Sequence, residues 1–475
     1  MNKKLAVLLL RIDGAPDLPT KVYADQLFTN AGKGTRNLVD YYQEMSHGRL
    51  DIGQSQVFDW IDYGHTKQDI ADEWSKAKKE KLDELKTAGK SDAEAEDAAN
   101  IYANGIQRAK IKEWGVEVAV KNNLVLTGFD VKVFLFNQLV DYYGSYGEVV
   151  LNWDASANHT SFSVDLTGVS HEVGHGLGLE HSRLENSDVE YGDRWDIMTA
   201  YDSIFLDSTG TLTPPGSAYF TFGPGLNAVN MELVGWLDVT RVFTGRGSAS
   251  FKLRPLHRRE LPGWLAAKLQ IGLETIFIEF RMNEGWDIQI PGPCILLHRQ
   301  TNHPLNGRAC SEIIVANPGA AIGPQTEMYE GDVFEMGEAN DPFGFFAQIK
   351  VTRIDAQTRE ALLNVYVRER RQVEPSGTLY GGVTSDGGGL IWTPGKGFVK
   401  VPPRSPLILV LEMIAQIETL QTIDPHGRRE LIEELTLHQL SKAHEHLGGI
   451  IAARKLPGVP TPLNLRQTGN SGVDY

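Results

Sequence analysis

The sequence predicts an α+β protein in which a mixed, twisted sheet with one prominent helix precedes a β-rich region. Three observations support this fold class. Strand-like and helix-like patterns alternate up to residue 241, short β-rich runs separated by turn residues follow to about residue 370, and helical spacing returns after residue 406. These patterns predict four regions. The first is a domain over 1–241 with a helical insertion at 67–121, and the second is a β-sandwich-like domain over 242–370. A Gly/Pro-rich linker over 371–406 follows, and then a helical extension with a flexible tail over 407–475.

The composition is that of an ordinary globular protein and excludes several classes. The 475 residues are 41% hydrophobic and 23% charged, and a net charge of −15 argues against a nucleic-acid partner. The 48 glycines and 22 prolines follow no repeat, which excludes collagen and solenoid folds. No apolar run approaches the roughly 20 residues of a membrane span. Cys294 and Cys310 form either one disulfide or two buried thiols, and the oligomeric state stays open.

The N-terminal part of the chain is predicted to contain two strands and two helices. Residues 5–12 are predicted to be a buried strand, because the apolar run is too short for a signal peptide and no small-residue cleavage site follows it. We therefore see no convincing export signal, and the localisation stays open. Helical spacing predicts a helix over 22–28 and a second one that runs from Thr35 as N-cap to Met45. Alternation over 50–60 predicts a strand.

Residues 67–121 are predicted to form a helical hairpin. The stretch has no proline and breaks at 86–90, and Ser91 and Glu94 make a capping box that opens the second helix. Its balanced charge indicates a solvated face without chemistry. The strand that begins near Asp130, a turn at 144–147 and a strand from residue 148 then complete the sheet.

Residues 171–181 read HEVGHGLGLEH, a pattern typical of a metal site. His171 and His175 are four residues apart, so that a helix places them on one face. Gly178 permits the positive φ that ends the helix and returns His181 as a third ligand. Three neutral imidazoles leave one position of a zinc ion open, which is the arrangement of catalytic zinc sites. We expect one catalytic Zn²⁺ here.

Glu172 adjoins the first ligand and is the candidate general base. Zinc lowers the pKa of a coordinated water toward ~7, and Glu172 would take its proton. The short pattern H-E-x-x-H occurs by chance, whereas the longer H-E-x-x-H-x-x-G-x-x-H specifies five positions. The alternative is a helix whose histidines cap or fill a surface, and this spacing makes that alternative poor.

A second element follows the motif. Met198 lies in the sequence DIMTAY and comes 17 residues after His181. This element resembles the Met-turn of the metzincin metallopeptidases, in which the methionine forms an apolar floor beneath the metal. A lone methionine would otherwise be interpreted as a core residue.

Within the metzincins, the chain resembles the gametolysin-like and immune-inhibitor-A-like peptidases. The resemblance rests on the zinc motif and on the segments 37–52, 190–198, 226–236 and 276–298, and it extends over about residues 5–368. It implies a metzincin-type zincin catalytic domain, with a mixed twisted sheet and an active-site helix, that hydrolyses peptide bonds.

Two positions depart from the family patterns. Immune-inhibitor-A-type enzymes carry Asp as the third ligand, whereas this chain has His181, which is the gametolysin pattern. Tyr201 follows Met198 by three residues, whereas the zinc-linked tyrosine of astacins and serralysins follows by two. Tyr201 is therefore either a hydrogen-bond donor to the oxyanion or a wall residue of the cleft.

The resemblance implies a peptide substrate that lies antiparallel to an upper edge strand. By order along the chain, that strand is predicted at 147–153. Its cleft candidates are Gly147, Glu148, Val149, Val150, Leu151, Asn152 and Trp153. Phe205 follows the Met-turn and is either part of an apolar pocket on the leaving-group side or a core residue.

Four acidic residues near the motif raise the question of a second ion. Asp188, Glu190, Asp193 and Asp196 could contribute to a Ca²⁺ site, or they could line a solvated or salt-bridged loop.

The leading hypothesis is a zinc endopeptidase that acts on a protein or peptide substrate. The alternative is a non-catalytic or gated zinc-fold protein whose β-domain binds a surface glycan or protein. Glu172 favours the enzyme, because a non-catalytic zinc site does not need it.

Overall fold

The computed structural model describes residues 1–153, 166–185, 187, 190–202, 223–245, 247–271, 274–303, 306–316, 325–337 and 346–368, together with the backbone of three strands between residues 379 and 401. The chain divides into two compact units, Met1–Arg370 and Arg371–Tyr475. It is a mixed α/β protein with several sheets and few helices. Within the described ranges, no helix is long and apolar enough to cross a membrane.

The first sheet is built by the N-terminal part of the chain. Its elements, with the helices between them, are β1 (Leu5–Arg11), α1 (Lys21–Phe28), α2 (Leu38–Met45), β2 (Gln56–Val57), β3 (Ile61–Asp62), α3 (Lys67–Thr87), α4 (Asp92–Lys121), β4 (Val131–Phe136), β5 (Tyr143–Ser145), β6 (Glu148–Asn152) and α5 (Leu166–Gly176). The strand order is β2-β1-β4-β6-β5, and β3 also pairs with β1. Only β5 runs antiparallel to its neighbour among these strands, and it forms one edge of the sheet.

The apolar run of β1 is buried on both faces of this sheet. Leu5, Val7 and Leu9 belong to a core that also contains side chains of α1, α2 and α5. Leu8 and Leu10 enter a second core with side chains of α3 and α4. Because successive side chains of a strand point to opposite faces, the sheet lies between these two helical layers.

Capping side chains decide where the helices begin. The predicted box at the start of α4 is confirmed, since Ser91 accepts from the N–H of Glu94 and the Glu94 carboxylate accepts from the N–H of Ser91. The N-cap of α2 is Asn37 and not Thr35 as predicted. Asp40 provides the reason, because its carboxylate binds the Asn37 N–H while the Asn37 side chain accepts from the Asp40 N–H at 3.0 Å.

The strand predicted over 50–60 is much shorter in the structure. Only β2 lies in that range, and β3 begins just beyond it. Between them, the Asp59 carboxylate accepts a hydrogen bond from the N–H of Trp60 at 2.9 Å. A side chain that binds the adjacent backbone competes with the ladder of a sheet.

The second part of the chain is dominated by strands. Its elements are β7 (Arg183–Leu184), α6 (Ala228–Leu233), β8 (Val242–Gly245), β9 (Ala249–Leu253), β10 (Ala266–Ile271), β11 (Glu274–Arg281), β12 (Cys294–Asn302), β13 (Ala309–Ile313), β14 (Glu327–Met328), β15 (Val333–Gly337), β16 (Phe346–Asp355), β17 (Glu360–Arg368), β18 (Leu379–Val383), β19 (Gly389–Thr393) and β20 (Gly397–Val401). A seven-stranded sheet has the order β7-β13-β12-β11-β10-β8 with β14 beside β12, and a four-stranded sheet has the order β15-β16-β17-β9.

These two sheets share one apolar core. Ile278 of β11 and Leu297 of β12 belong to the same cluster as Leu253 of β9, Ile349 of β16 and Leu363 of β17. The seven-stranded sheet also contains β7, which precedes residue 241. The boundary predicted between residues 241 and 242 therefore lies inside one compact unit.

Cys294 and Cys310 are buried free thiols. The stretch predicted as a linker contains the three-stranded antiparallel sheet β18-β19-β20. Gly389, one of the glycines that favour a linker, lies in β19. The helices and tail predicted over 407–475 lie outside the described residues.

Candidate metal centre

Helix α5 and the turn after it bring three histidines together. His171 and His175 lie one turn apart on α5, and Gly178, at φ 105°, reverses the chain behind the helix. Leu179 closes that turn, because its N–H donates to the carbonyl of Gly174 at 2.9 Å. The Nε2 of His175 then lies 3.2 Å from the Nε2 of His171 and 2.9 Å from that of His181. The three residues could hold a metal ion.

The other nitrogen of each ring binds an oxygen. His171 Nδ1 lies 2.9 Å from the carbonyl oxygen of Ile197, and His175 Nδ1 lies 2.7 Å from that of Leu179. His181 Nδ1 lies 3.0 Å from Oε2 of Glu190. A carbonyl oxygen only accepts, so Nδ1 of His171 and of His175 must carry the proton.

It follows that the Nε2 atoms direct lone pairs toward one another. Burial lowers the pKa of His171 and of His175, and burial and the neighbouring His175 lower the pKa of His181 to about 3. The rings are therefore neutral near pH 7. Neutral nitrogens at such separations repel one another, and a cation that accepts all three lone pairs relieves that repulsion.

Met198 packs against the helix that carries His171 and His175. It is fully buried in the 3₁₀ helix Ile197–Asp202. A Cβ at Gly174 of α5 would lie 2.7 Å from its sulfur, so that the helix and the turn are in close contact. Asp196 holds the turn, because its carboxylate accepts from the N–H of Met198 at 2.7 Å and from the N–H of Asn227 at 2.5 Å.

Glu172 is almost fully buried, with 5% of its surface exposed. Burial raises the pKa of its carboxyl to about 8, and a hydrogen bond from the N–H of Gly144 in β5 partly opposes that shift. Glu172 is not part of the metal-ligating group. It directly follows the ligand candidate His171 along the chain.

The predicted edge strand is not at the edge. Residues 148–152 form β6, which pairs with β4 on one side and with β5 on the other. The edge belongs to β5, at Tyr143–Ser145, because the chain makes a hairpin before it reaches β6. Among the proposed cleft residues, Trp153 is buried and its ring packs edge-on against Tyr23. Gly147 lies in the turn between β5 and β6 at φ 79°.

Two proposed site residues cannot be compared in full. Phe205 lies outside the described residues. Tyr201 is part of the 3₁₀ helix that contains Met198, and its side chain is not described.

Three residues near the metal group were missed at the sequence level. Glu190 binds His181, and its second oxygen, Oε1, lies 2.9 Å from Nε2 of His303. The ring of Tyr191 lies 4.0 Å from that of His181 and 6.0 Å from that of His171, between ring centres. The sequence indicates Glu190 as a calcium-ligand candidate, a residue of a solvated or salt-bridged loop, or part of the segment 190–198, and not as a partner of His181. No local pattern indicated His303, since it lies far along the chain in a β-rich segment.

The acidic residues named as calcium candidates have other partners where the structure describes them. Asp188 lies outside the described residues, and Glu190 faces the histidines. Asp193 and Asp196 are buried, and Oδ2 of Asp193 lies 3.1 Å from Nε2 of His298. Within the described part of the chain, the histidine group is the one cluster that could hold a metal ion.

A buried ionic network connects the segment just before Met198 to the large sheet. Arg281 of β11 donates to Asp287 at 2.7 Å, to Glu279 at 3.0 Å and to the carbonyl of Trp195 at 3.0 Å. The second oxygen of Glu279 accepts from the N–H of Ala228 at the start of α6. All the charged members of this network are almost completely buried. The sheet therefore supports the backbone that carries Met198.

A cavity of about 630 Å³ lies elsewhere, beside α2. Glu44, His257, Arg258 and Trp286 are among its lining residues, and none of the three histidines is. We take the histidine group as the candidate site, because its ligand atoms all lie within 4.8 Å of one another.

The comparisons with known proteins add no relative: no family model, curated protein or solved structure matches this chain. The interpretation of the site therefore depends on its own geometry and chemistry.

Proposed function

We propose that this chain is a zinc-dependent endopeptidase of the metzincin type. The observation that carries the proposal is the convergence of three Nε2 atoms, each on a ring whose Nδ1 binds an oxygen. Tetrahedral zinc with bonds of about 2.0–2.1 Å separates its nitrogen ligands by roughly 3.3 Å. The separations of 3.2 and 2.9 Å between neighbouring Nε2 atoms are close to that value. An all-imidazole donor set with one position left open fits catalytic zinc.

The chain's own residues have distinct roles in the proposed reaction. When bound, zinc supplies a Lewis acid that polarises the scissile carbonyl and lowers the pKa of water. In its ionised form, which the positive charge of bound zinc would favour, Glu172 accepts a proton from the attacking water and transfers it to the amine nitrogen that leaves. The N–H of Gly144 holds the Glu172 carboxylate for both transfers. Met198 supports the ligand helix by packing against it at Gly174.

The β5–β6 hairpin is the proposed substrate wall. Strand β5 forms the sheet edge next to α5, and an extended peptide can add to a strand edge through backbone hydrogen bonds. Tyr146, at the tip of the hairpin, is 71% exposed and lies against the Gly178 turn. It offers an aromatic surface beside the metal ligands.

The test compares the wild type with Glu172→Ala on a denatured-proteome peptide library, with the zinc content of both proteins measured. We expect one zinc per chain in both proteins and cleavage by the wild type alone. Glu113→Ala on the outer face of α4 is the matched control and should cleave as the wild type does. His181→Ala should lose both zinc and cleavage.

The opposite outcomes are equally informative. If neither protein cleaves while both hold zinc, the endopeptidase proposal fails. The alternative, a non-catalytic or gated zinc-fold protein, then takes its place. If Glu172→Ala cleaves as fast as the wild type, Glu172 is not the base.

A further inference from the structure

The third metal ligand is held by a segment from the distant β-rich part of the chain. Glu190 lies between two imidazoles, with Oε2 3.0 Å from Nδ1 of His181 and Oε1 2.9 Å from Nε2 of His303. His303 follows β12 directly and is 5% exposed. Both oxygens of the Glu190 carboxylate are therefore engaged, one by the metal-ligand candidate His181 and the other by His303 at the end of β12.

The backbone around Glu190 is held in an unusual conformation. Tyr191 has φ 63°, a region that an aromatic residue rarely adopts, and its ring packs against the ring of His181. Gly192 follows, and a Cβ there would lie 2.5 Å from the backbone nitrogen and from the Cβ of Leu184. Its N–H donates to the carbonyl of Ser182 at 3.1 Å. The surroundings thus fix the segment 190–192 against the loop that carries His181.

The same hairpin of β12 and β13 also holds the loop on the other side of His181. Arg308 donates to Glu180 at 3.1 Å, and Asn306 donates to Glu180 at 3.3 Å. Strand β7, two residues after His181, pairs with the end of β13. The hairpin therefore contacts the chain both before and after the third ligand.

We propose that Glu190 and His303 are positioning residues for the third metal ligand, so that metal binding depends on the docking of the β12–β13 hairpin. This inference rests on the proposed zinc centre. A carboxylate that accepts from Nδ1–H fixes the tautomer and the orientation of a ligating imidazole, and removing such a partner typically weakens metal binding by about 10–100-fold. His303 acts through Glu190, since it holds the other oxygen of that carboxylate.

The test measures zinc affinity without relying on cleavage. Glu190→Gln, His303→Ala and the double variant are stripped of metal, and their zinc affinity is determined by competition with a chromophoric chelator. The visible absorption spectrum of the Co²⁺ form is recorded as a probe of ligand geometry. Glu312→Gln is the matched control, because it removes a carboxylate from the same hairpin that binds Arg299 and not the histidines.

We expect Glu190→Gln to weaken zinc binding by about 10–100-fold and to change the Co²⁺ spectrum. His303→Ala should weaken binding less, and the double variant should resemble Glu190→Gln, because the two residues act in series. Glu312→Gln should bind zinc as the wild type does. The metal-free variants and the metal-free wild type should unfold at the same temperature. Equal unfolding temperatures show that a loss of zinc affinity comes from the position of the ligand and not from loss of the fold.

Two results would overturn the inference. One is wild-type zinc affinity and an unchanged Co²⁺ spectrum in Glu190→Gln. The other is an equal loss of affinity in Glu312→Gln. If the three histidines are not the zinc site, the result is different, because His181→Ala would then bind zinc with the affinity of the wild type.

Discussion

Substitution of Gly144 by alanine tests the contact between β5 and the ligand helix. A Cβ at this position would lie 2.2 Å from the carbonyl oxygen of Glu172 and 2.7 Å from the Cβ of His175. Unstrained contacts between such atoms need about 3.5 Å, so strand and helix must separate by about 1 Å. Overpacking a core costs about 1–3 kcal/mol. We expect the upper end of that range here, because the first obstacle is backbone and no side chain can rotate away from it.

The same separation has a predicted effect on the reaction. The separation moves the N–H of Gly144 away from the Glu172 carboxylate. A misplacement of about 1 Å in an active site can lower the rate of the reaction by about 100-fold. We therefore expect Gly144→Ala to unfold in urea with about 3 kcal/mol less free energy and to cleave peptides about 100-fold more slowly.

The matched control is Gly105→Ala on α4. A Cβ at Gly105 meets no atom within 4 Å, and this exposed helical site should gain about 1 kcal/mol from the replacement. Both variants are compared by urea unfolding followed by tryptophan fluorescence. If Gly144→Ala keeps wild-type stability and cleavage, the close approach of β5 to α5 does not exist in solution and the proposed support for Glu172 is refuted.

Two further predictions concern groups away from the ligands. Arg281→Met should lower the free energy of unfolding by about 3–5 kcal/mol, because it leaves the buried carboxylates of Glu279 and Asp287 unpaired; a loss below 1 kcal/mol in urea unfolding would contradict this. Burial raises the pKa of Glu44 to about 7, so from about pH 4.5 to 7 the folded protein retains a proton that the unfolded chain releases, and stability from this group falls as pH rises. Glu44→Gln removes that dependence, so its stability relative to the wild type should rise by about 3 kcal/mol between pH 4.5 and pH 8. A difference that does not change with pH would show that Glu44 titrates normally.

The parts of the site that the sequence predicted are those set by local chemistry. The spacing of His171 and His175 needs only a helix, and the return of His181 needs only the positive φ that Gly178 supplies. The position of Met198 follows from its distance to the motif. The capping box of α4 is equally local.

The parts that the sequence could not predict depend on distant partners. Thr35 and Asn37 are both good N-caps, and the choice depends on the contacts of one carboxylate, Asp40. The order of strands in a sheet is not encoded locally, so the edge was placed at β6 and not at β5. Glu190 and His303 are brought together by the path of a β-hairpin that no short pattern reveals.

The docking of the β12–β13 hairpin beside His181 has a consequence for synthesis on the ribosome. His303 is translated roughly 120 residues after His181, which at about 5–20 residues per second takes roughly 6–25 s. During that interval the nascent chain carries its histidines without the strand end that positions the third one. On the proposed function, the peptidase matures only when most of its own chain has left the exit tunnel, so that neighbouring nascent chains meet an enzyme that is still incomplete.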